Sequence, residues 1–321
     1  MKPLLDVPVL IIAYRRPRVL QNILNICAKN KVSSIYVLLD GPKKNSPKPA
    51  LDDYDDIKSI VESFNRGYKG KMHTHFRNNN VGCASSVLSG CDWIFQTEEN
   101  AIILEDDCIP GDDFFNFSIK SLQLMESEKD IWLSCGTQFA PEELFQDSWT
   151  LSKYALTWGW TTNKNNWNEM RAAIGGNQNL MKGNFLYREI SYWNAGARRA
   201  RCGYADVWDT LLAQQMLVHN KFAILPKVSL VSNVGFDAIA THTKRESQWM
   251  ELKSRNLSEP EMPPVYSEEI SQWLSKHLFQ IQLKHILTTK VKKFIDWFIY
   301  LNQYTPSLNE KWDKASLIRK I

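Results

Sequence analysis

At 321 residues the chain is long enough to bury a sizeable core without disulfide staples, which excludes the small cross-linked scaffolds. Its 44% apolar and 23% charged residues, with 14 Gly and 13 Pro spread along the length, exclude collagen-like, low-complexity and mostly disordered chains. A formal charge of +4 is too small to announce a nucleic-acid partner, and the imbalance sits in the tail, where residues 266–321 carry nine Lys/Arg against five Asp/Glu.

The first apolar run (7–13) is followed at once by Arg15 and Arg16 and is too short for a signal peptide. No run approaches about 18 uninterrupted apolar residues, so no bilayer-spanning segment is expected. The six cysteines form no C-x-x-C pair and no finger-like spacing with His, a pattern that fits reduced thiols in a cytoplasmic protein. Through residue 135, short β-branched runs alternate with stretches of helical period: VPVLIIA (7–13), SSIYVLL (33–39), KMHTHF (71–76), NAIIL (100–104) and IWLSC (131–135). This alternation predicts an α/β fold, a doubly wound and mostly parallel Rossmann-like sheet. Ligands of such sheets bind beyond the carboxyl ends of the strands. The residues there are Tyr14-Arg15-Arg16, Asp40-Gly41, 77–82 and Glu105-Asp106-Asp107.

From 136 to about 240 the pattern turns irregular and reads as a second, acceptor-side lobe packed on the first sheet, with a helix over 207–219 and a short run FAILP at 222–226. Polar residues dominate from 246 to 264, after which a helical period resumes. The expected organisation is therefore one catalytic domain over 1–245, in halves 1–135 and 136–245, and a helical tail over 246–321.

The sharpest chemical signal is IILEDD (102–107). Three consecutive acids at the end of a buried strand are costly unless something positive neutralises them. Mg²⁺ or Mn²⁺ suits carboxylate oxygens and is commonly held by one or two of them together with substrate phosphates. The competing reading is that Asp106 or Asp107 opens the next helix, because Pro110-Gly111-Asp112-Asp113 is rich in helix-start residues.

ILEDDCIPGDDFFNF resembles the metal motif of A-type nucleotide-sugar glycosyltransferases, in particular the N-acetylglucosaminyltransferase I group and bacterial family 2-like enzymes. IIAYRRPRVLQNIL is similar to that family's opening strand and loop, VLLDG to its second strand, and the stretch from Asn80 through Phe95 to the helix before the metal strand. The resemblance covers roughly 7–120 and thins to short motifs beyond. It implies that Asp40 accepts the uracil N–H, that Arg16 faces the diphosphate, and that Glu105 and Asp106 face the ribose and sugar. Ala13, Tyr14, Asn80 and Gly82 complete the nucleotide-sugar contacts, and Asp107 ligates the metal. Arg15 departs from the family, which has an acid in this loop. For Asp40 the plain alternative is a D-G turn.

Inverting glycosyl transfer needs a base on the acceptor side. ADVWDTLL (205–212) supplies Asp206 and Asp209, three apart and so on one face if both are helical. The W-D pair resembles the family's base-bearing segment and favours Asp209, while Asp206 equally suits a cap of the following helix. His242, in LVSNVGFDAIATHT, could ligate the metal, donate to a phosphate or satisfy a carbonyl. Trp158, Trp160 and Trp167 could stack on a sugar acceptor or fill the core. In the tail, apolar residues from Phe279 to Leu301 repeat at three and four, with Lys276, Lys284, Lys290, Lys292 and Lys293 beside them. That pattern suits either an anionic membrane interface or docking on protein.

The expectation is a metal-dependent transferase moving sugar from a UDP-sugar to a glycan or lipid-linked glycan, with inversion, in bacterial surface-polysaccharide assembly at the inner face of the membrane. A sugar-1-phosphate nucleotidyltransferase would want a glycine-rich first loop, which Tyr14-Arg15-Arg16-Pro17 is not. A non-catalytic carbohydrate- or membrane-binding module would leave the EDD unexplained.

Overall fold

The computed structural model describes residues 6–176, 181, 187–236 and 253–281. Strands β1 (Val9–Ala13), β2 (Ser34–Leu39), β3 (Lys71–Phe76) and β4 (Asn100–Glu105) alternate with helices α1 (Pro17–Lys29), α2 (Lys48–Gly67) and α3 (Cys83–Ile94). All four strands are parallel, β1 lying between β2 and β4 and β3 outside β2. Side chains alternate across the sheet: Leu10 and Ile12 enter one core, Val9, Ile11 and Ala13 the other. Burial on both faces is why β1 and β2 are buried at every position and read as continuous apolar runs.

Beyond β4 come β5 (Cys108–Pro110), α4 (Asp112–Ser127), β6 (Ile131–Cys135), β7 (Trp149–Ser152), β8 (Trp160–Asn163) and α5 (Lys164–Gly175). They are followed by α6 (Tyr187–Arg201), α7 (Asp209–Val218), β9 (Phe222–Pro226), β10 (Val231–Asn233) and α8 (Glu268–Trp273). The eight-stranded sheet runs β3-β2-β1-β4-β8-β6-β9-β7, and β10 pairs with β5 in a separate ribbon. The fold is thus α/β, with a mostly parallel Rossmann-like central sheet.

Two departures from the sequence reading matter. β8 inserts antiparallel between β4 and β6, and β7 closes the edge antiparallel to β9. The second half of the chain therefore extends the first sheet instead of packing over it. β7 and β8 escape pattern reading because each has four residues with buried hydroxyls that are paid for by hydrogen bonds. Thr162 Oγ1 donates to the Trp132 carbonyl at 2.6 Å, Thr150 Oγ1 donates to the Val265 carbonyl at 2.8 Å, and Thr161 and Ser118 share a 2.8 Å bond.

Residues 253–281 strap back over this sheet. Leu257 N donates to Asp113, Trp149 Nε1 to the Met262 carbonyl, and Phe279 lies 5.1 Å from the Tyr154 ring and 5.0 Å from Trp193. Ile270, Leu274 and Ile281 are buried in the same core. The start of the tail is docked on protein; Lys284, Lys290, Lys292 and Lys293 lie outside the described residues. Among the described residues no helix is long and apolar enough to cross a membrane.

Candidate active site

The carboxyl ends of β1, β2 and β4 converge because the strands are in register: Ile12 pairs with Glu105, Ala13 with Leu39, and the amides of Asp106 and Asp40 continue the ladder to Ile12 and Ala13 carbonyls. Asp106 is buried and its Oδ2 accepts from the backbone N–H of Tyr14 (2.7 Å) and Arg15 (3.1 Å). Arg16 Nη1 lies 3.4 Å from Asp106 Oδ1 and 3.9 Å from Asp107 Oδ2. Asp106 thus organises the first loop. Arg15 turns away to Asp53 at 2.9 Å, so its guanidinium serves a local ion pair.

Glu105 shares the strand parity of Ala101 and Ile103 and projects to the face carrying α3, where its Oε2 is 4.0 Å from Cys83 Sγ. Its carboxyl is held well above the ordinary range by burial, reinforced by the charges of Asp107, Asp106 and Asp209. Asp107 is also raised, by burial and by Asp106, with Arg16 opposing. Asp107 begins no helix: β5 follows, and α4 starts only at Asp112. β10 pairs with β5 and lays the next residues over Asp107. Val234 N donates to the Asp107 carbonyl at 2.9 Å, and a Cβ on Gly235 would stand 2.1 Å from Asp107 Oδ2. Only glycine lets the backbone pass this close.

Asp40 is buried and saturated. It accepts from Gly41 N (2.9 Å), Asn80 Nδ2 (2.7 Å), Val81 N (3.0 Å) and Gly82 N (3.1 Å), with Arg77 Nη1 at 3.8 Å. Burial pushes its carboxyl up; the amides and Arg77 pull against that. Both the D-G turn and the loop 80–82 hang on this side chain. Asp40→Ala should cost about 3 kcal/mol in urea unfolding, because it strands the buried Gly41 N–H, three part-buried donors and Arg77 at once. Asp40→Asn, which keeps one acceptor oxygen, should lose less.

The helix expected over 207–219 starts at Asp209, with buried Trp208 as its N-cap residue. Asp206 therefore lies outside it, and the shared helix face expected for Asp206 and Asp209 does not exist. Nor does Asp206 cap α7. Its carboxylate crosses to α3 and accepts from Cys83 N (2.8 Å) and Ala84 N (3.0 Å). Asp209 is exposed and near enough to Glu105 to raise it. Trp160 and Trp167 are core residues, each 1% exposed, Trp160 tilted against Trp208 at 5.2 Å and Trp167 stacked on Phe95 at 6.1 Å. Acceptor stacking by these two is overturned, and Trp158 sits half-buried between Phe139 and Phe236. Tyr192 on α6 feels the Asp209 carboxylate: its hydroxyl is raised by burial and by that charge. No sequence signal marked it, since only folding brings α6 beside α7. His242 lies outside the described residues.

Among the described residues, no group of three or more His, Cys, Asp or Glu side chains is spaced to hold a metal ion. The donor chemistry nonetheless suits a hard divalent cation completed by substrate phosphates and water. Asp106 is already held by Arg16 and two amides, whereas burial raises both Glu105 and Asp107, the first further by Asp107, Asp106 and Asp209 and the second by Asp106.

No family model matches the chain, and no curated protein matches it. Among solved structures it is similar to UDP-glucose pyrophosphorylase complexed with UDP-glucose, at 9% identity and TM-score 0.36 over 69% of this chain and 90% of that one. The apo form of UDP-glucose pyrophosphorylase gives 10% identity and TM-score 0.37 over the same shares. 4-Diphosphocytidyl-2C-methyl-D-erythritol synthase from Anaerococcus prevotii DSM 20548 gives 12% identity and TM-score 0.35 over 56% of this chain and 79% of that one. Likenesses this slight carry no argument about activity.

Proposed function

We propose that the protein is a nucleotide-sugar enzyme, and more closely a cation-dependent glycosyltransferase that moves sugar from a UDP-sugar to an acceptor hydroxyl with inversion. One observation carries the reading. Cys83 joins Glu105, at the end of β4, to a distant part of the chain: its Sγ lies 4.0 Å from Glu105 and its N–H donates to Asp206, three residues before the exposed Asp209, whose charge helps to raise Glu105. Asp107 and Glu105 would hold Mn²⁺ or Mg²⁺. Such a cation would supply positive charge to the departing diphosphate. Arg16, already beside Asp106 and Asp107, adds a fixed positive charge for the same group.

Asp209 serves as the base. As the acceptor oxygen forms its bond to the anomeric carbon and the bond from that carbon to the diphosphate breaks, the hydroxyl proton passes to the Asp209 carboxylate. Tyr192, whose hydroxyl feels the Asp209 charge, would be the aromatic side chain for an acceptor sugar. The first loop argues against nucleotidyl transfer, because the Tyr14 and Arg15 amides, which would have to cradle a phosphate, are spent on Asp106. The deciding experiment offers the protein UDP-sugars with Mn²⁺ and hydroxyl acceptors in one arm, and UTP with sugar 1-phosphates in the other. Release of UDP with a new glycoside is expected; release of pyrophosphate from UTP would assign nucleotidyl transfer instead.

A further inference from the structure

Four consecutive backbone N–H groups, from Val81 to Ala84, lead from the loop after β3 into the first turn of α3, and two carboxylates take them in pairs. Asp40, at the end of β2, takes Val81 and Gly82 at 3.0 and 3.1 Å. Asp206, from the far half of the chain, takes Cys83 and Ala84 at 2.8 and 3.0 Å. The first N–H groups of a helix have no partner within it, and negative charge is favoured there, so both the bonds and the field hold Asp206. Gly82 allows this approach. Its φ is +93°, and a Cβ there would stand 2.4 Å from Asp206 Oδ2. Two residues after Asp206, Trp208 is buried 5.2 Å from Trp160, and α7 begins with Asp209. The segment 206–209 is thus pinned at α3 and in the core, and the residue it delivers is Asp209.

We infer that Asp206 is a positioning residue: by closing the Cys83 and Ala84 amides it seats the 206–209 segment against the nucleotide loops and fixes where Asp209 stands relative to Glu105 and Asp107. This rests on Asp209 being the base of the proposed reaction. Asp206 itself exchanges no proton with substrate. Its removal displaces the base without deleting it, and an acceptor oxygen at the same place restores part of the effect.

The test uses the full chain carrying Cys202→Ser, which removes the exposed thiol of the same loop. Asp206→Ala and Asp206→Asn are compared by iodoacetamide labelling of Cys83, hydrogen exchange of the peptide 82–88, and steady-state transfer. Asp206→Ala should raise Cys83 labelling about tenfold or more, as expected when a local latch opens. Its kcat should fall about 10- to 100-fold, the effect of a misplaced catalytic group, while the donor KM stays within about twofold. Asp206→Asn should lie between and keep the acid limb of the kcat–pH profile, the loss of turnover at low pH that protonation of the base brings. Unchanged labelling and exchange in Asp206→Ala would show that no latch exists, and an opened latch with unchanged kcat would show that it positions nothing. Loss of the acid limb in Asp206→Asn with Cys83 still protected would make Asp206 the base. If the unsubstituted chain transfers no sugar, the proposed reaction fails by itself, and labelling and exchange still decide the latch.

Discussion

Asp209→Asn is expected to lower the turnover of sugar transfer by about 10²–10⁴-fold, the usual contribution of a general base, while leaving UDP-sugar affinity within about twofold. The amide is close in shape, so α7 should keep its start at Asp209, after Trp208 as N-cap, and the fold should be undisturbed. On the proposed reaction, what the variant loses is the proton acceptor. It also loses one negative charge facing Glu105, so the Glu105 carboxyl should move down from its raised position. Stopped assays at several donor concentrations separate kcat from KM. Turnover close to that of the unsubstituted chain would mean that the acceptor is deprotonated elsewhere or attacks without a side-chain base.

Asp107→Ala is expected to abolish cation-dependent UDP binding in calorimetry, by more than the roughly 10–100-fold that loss of a merely supporting residue around a metal brings. The opposite should hold for stability without cation. Glu105 and Asp107 sit above the ordinary carboxylate range. The native chain therefore binds protons that the unfolded chain releases, and stability falls as pH rises from the ordinary range through the raised values. Asp107→Ala and Glu105→Gln should each raise the metal-free Tm near neutral pH and flatten that pH dependence. Mn²⁺ should raise the Tm of the unsubstituted chain and leave Asp107→Ala unmoved. A metal-free Tm that falls in both variants would show that the acids are held by protein contacts alone and do not await a cation.

The sequence by itself determined the first half of the sheet and the loops at its carboxyl end. Strands buried on both faces must be apolar throughout, and residues beyond their ends are free to be polar, so Asp40 and the Glu105-Asp106-Asp107 triplet stood out against β2 and β4. Glycine's freedom at Gly82 was legible as a residue type, though not as a need. The tertiary structure decided what local pattern cannot encode. β7 and β8 are short and satisfy their hydroxyls with distant carbonyls, which hides them from a period-2 reading. Trp160 and Trp167 proved to be core because the helices that cover them are remote in sequence. Asp206 looked like a cap for the helix that follows it; it accepts instead from α3, more than 120 residues earlier. A hydrogen bond depends on distance in space, and chain spacing fixes that distance only within a turn or two of one helix or strand.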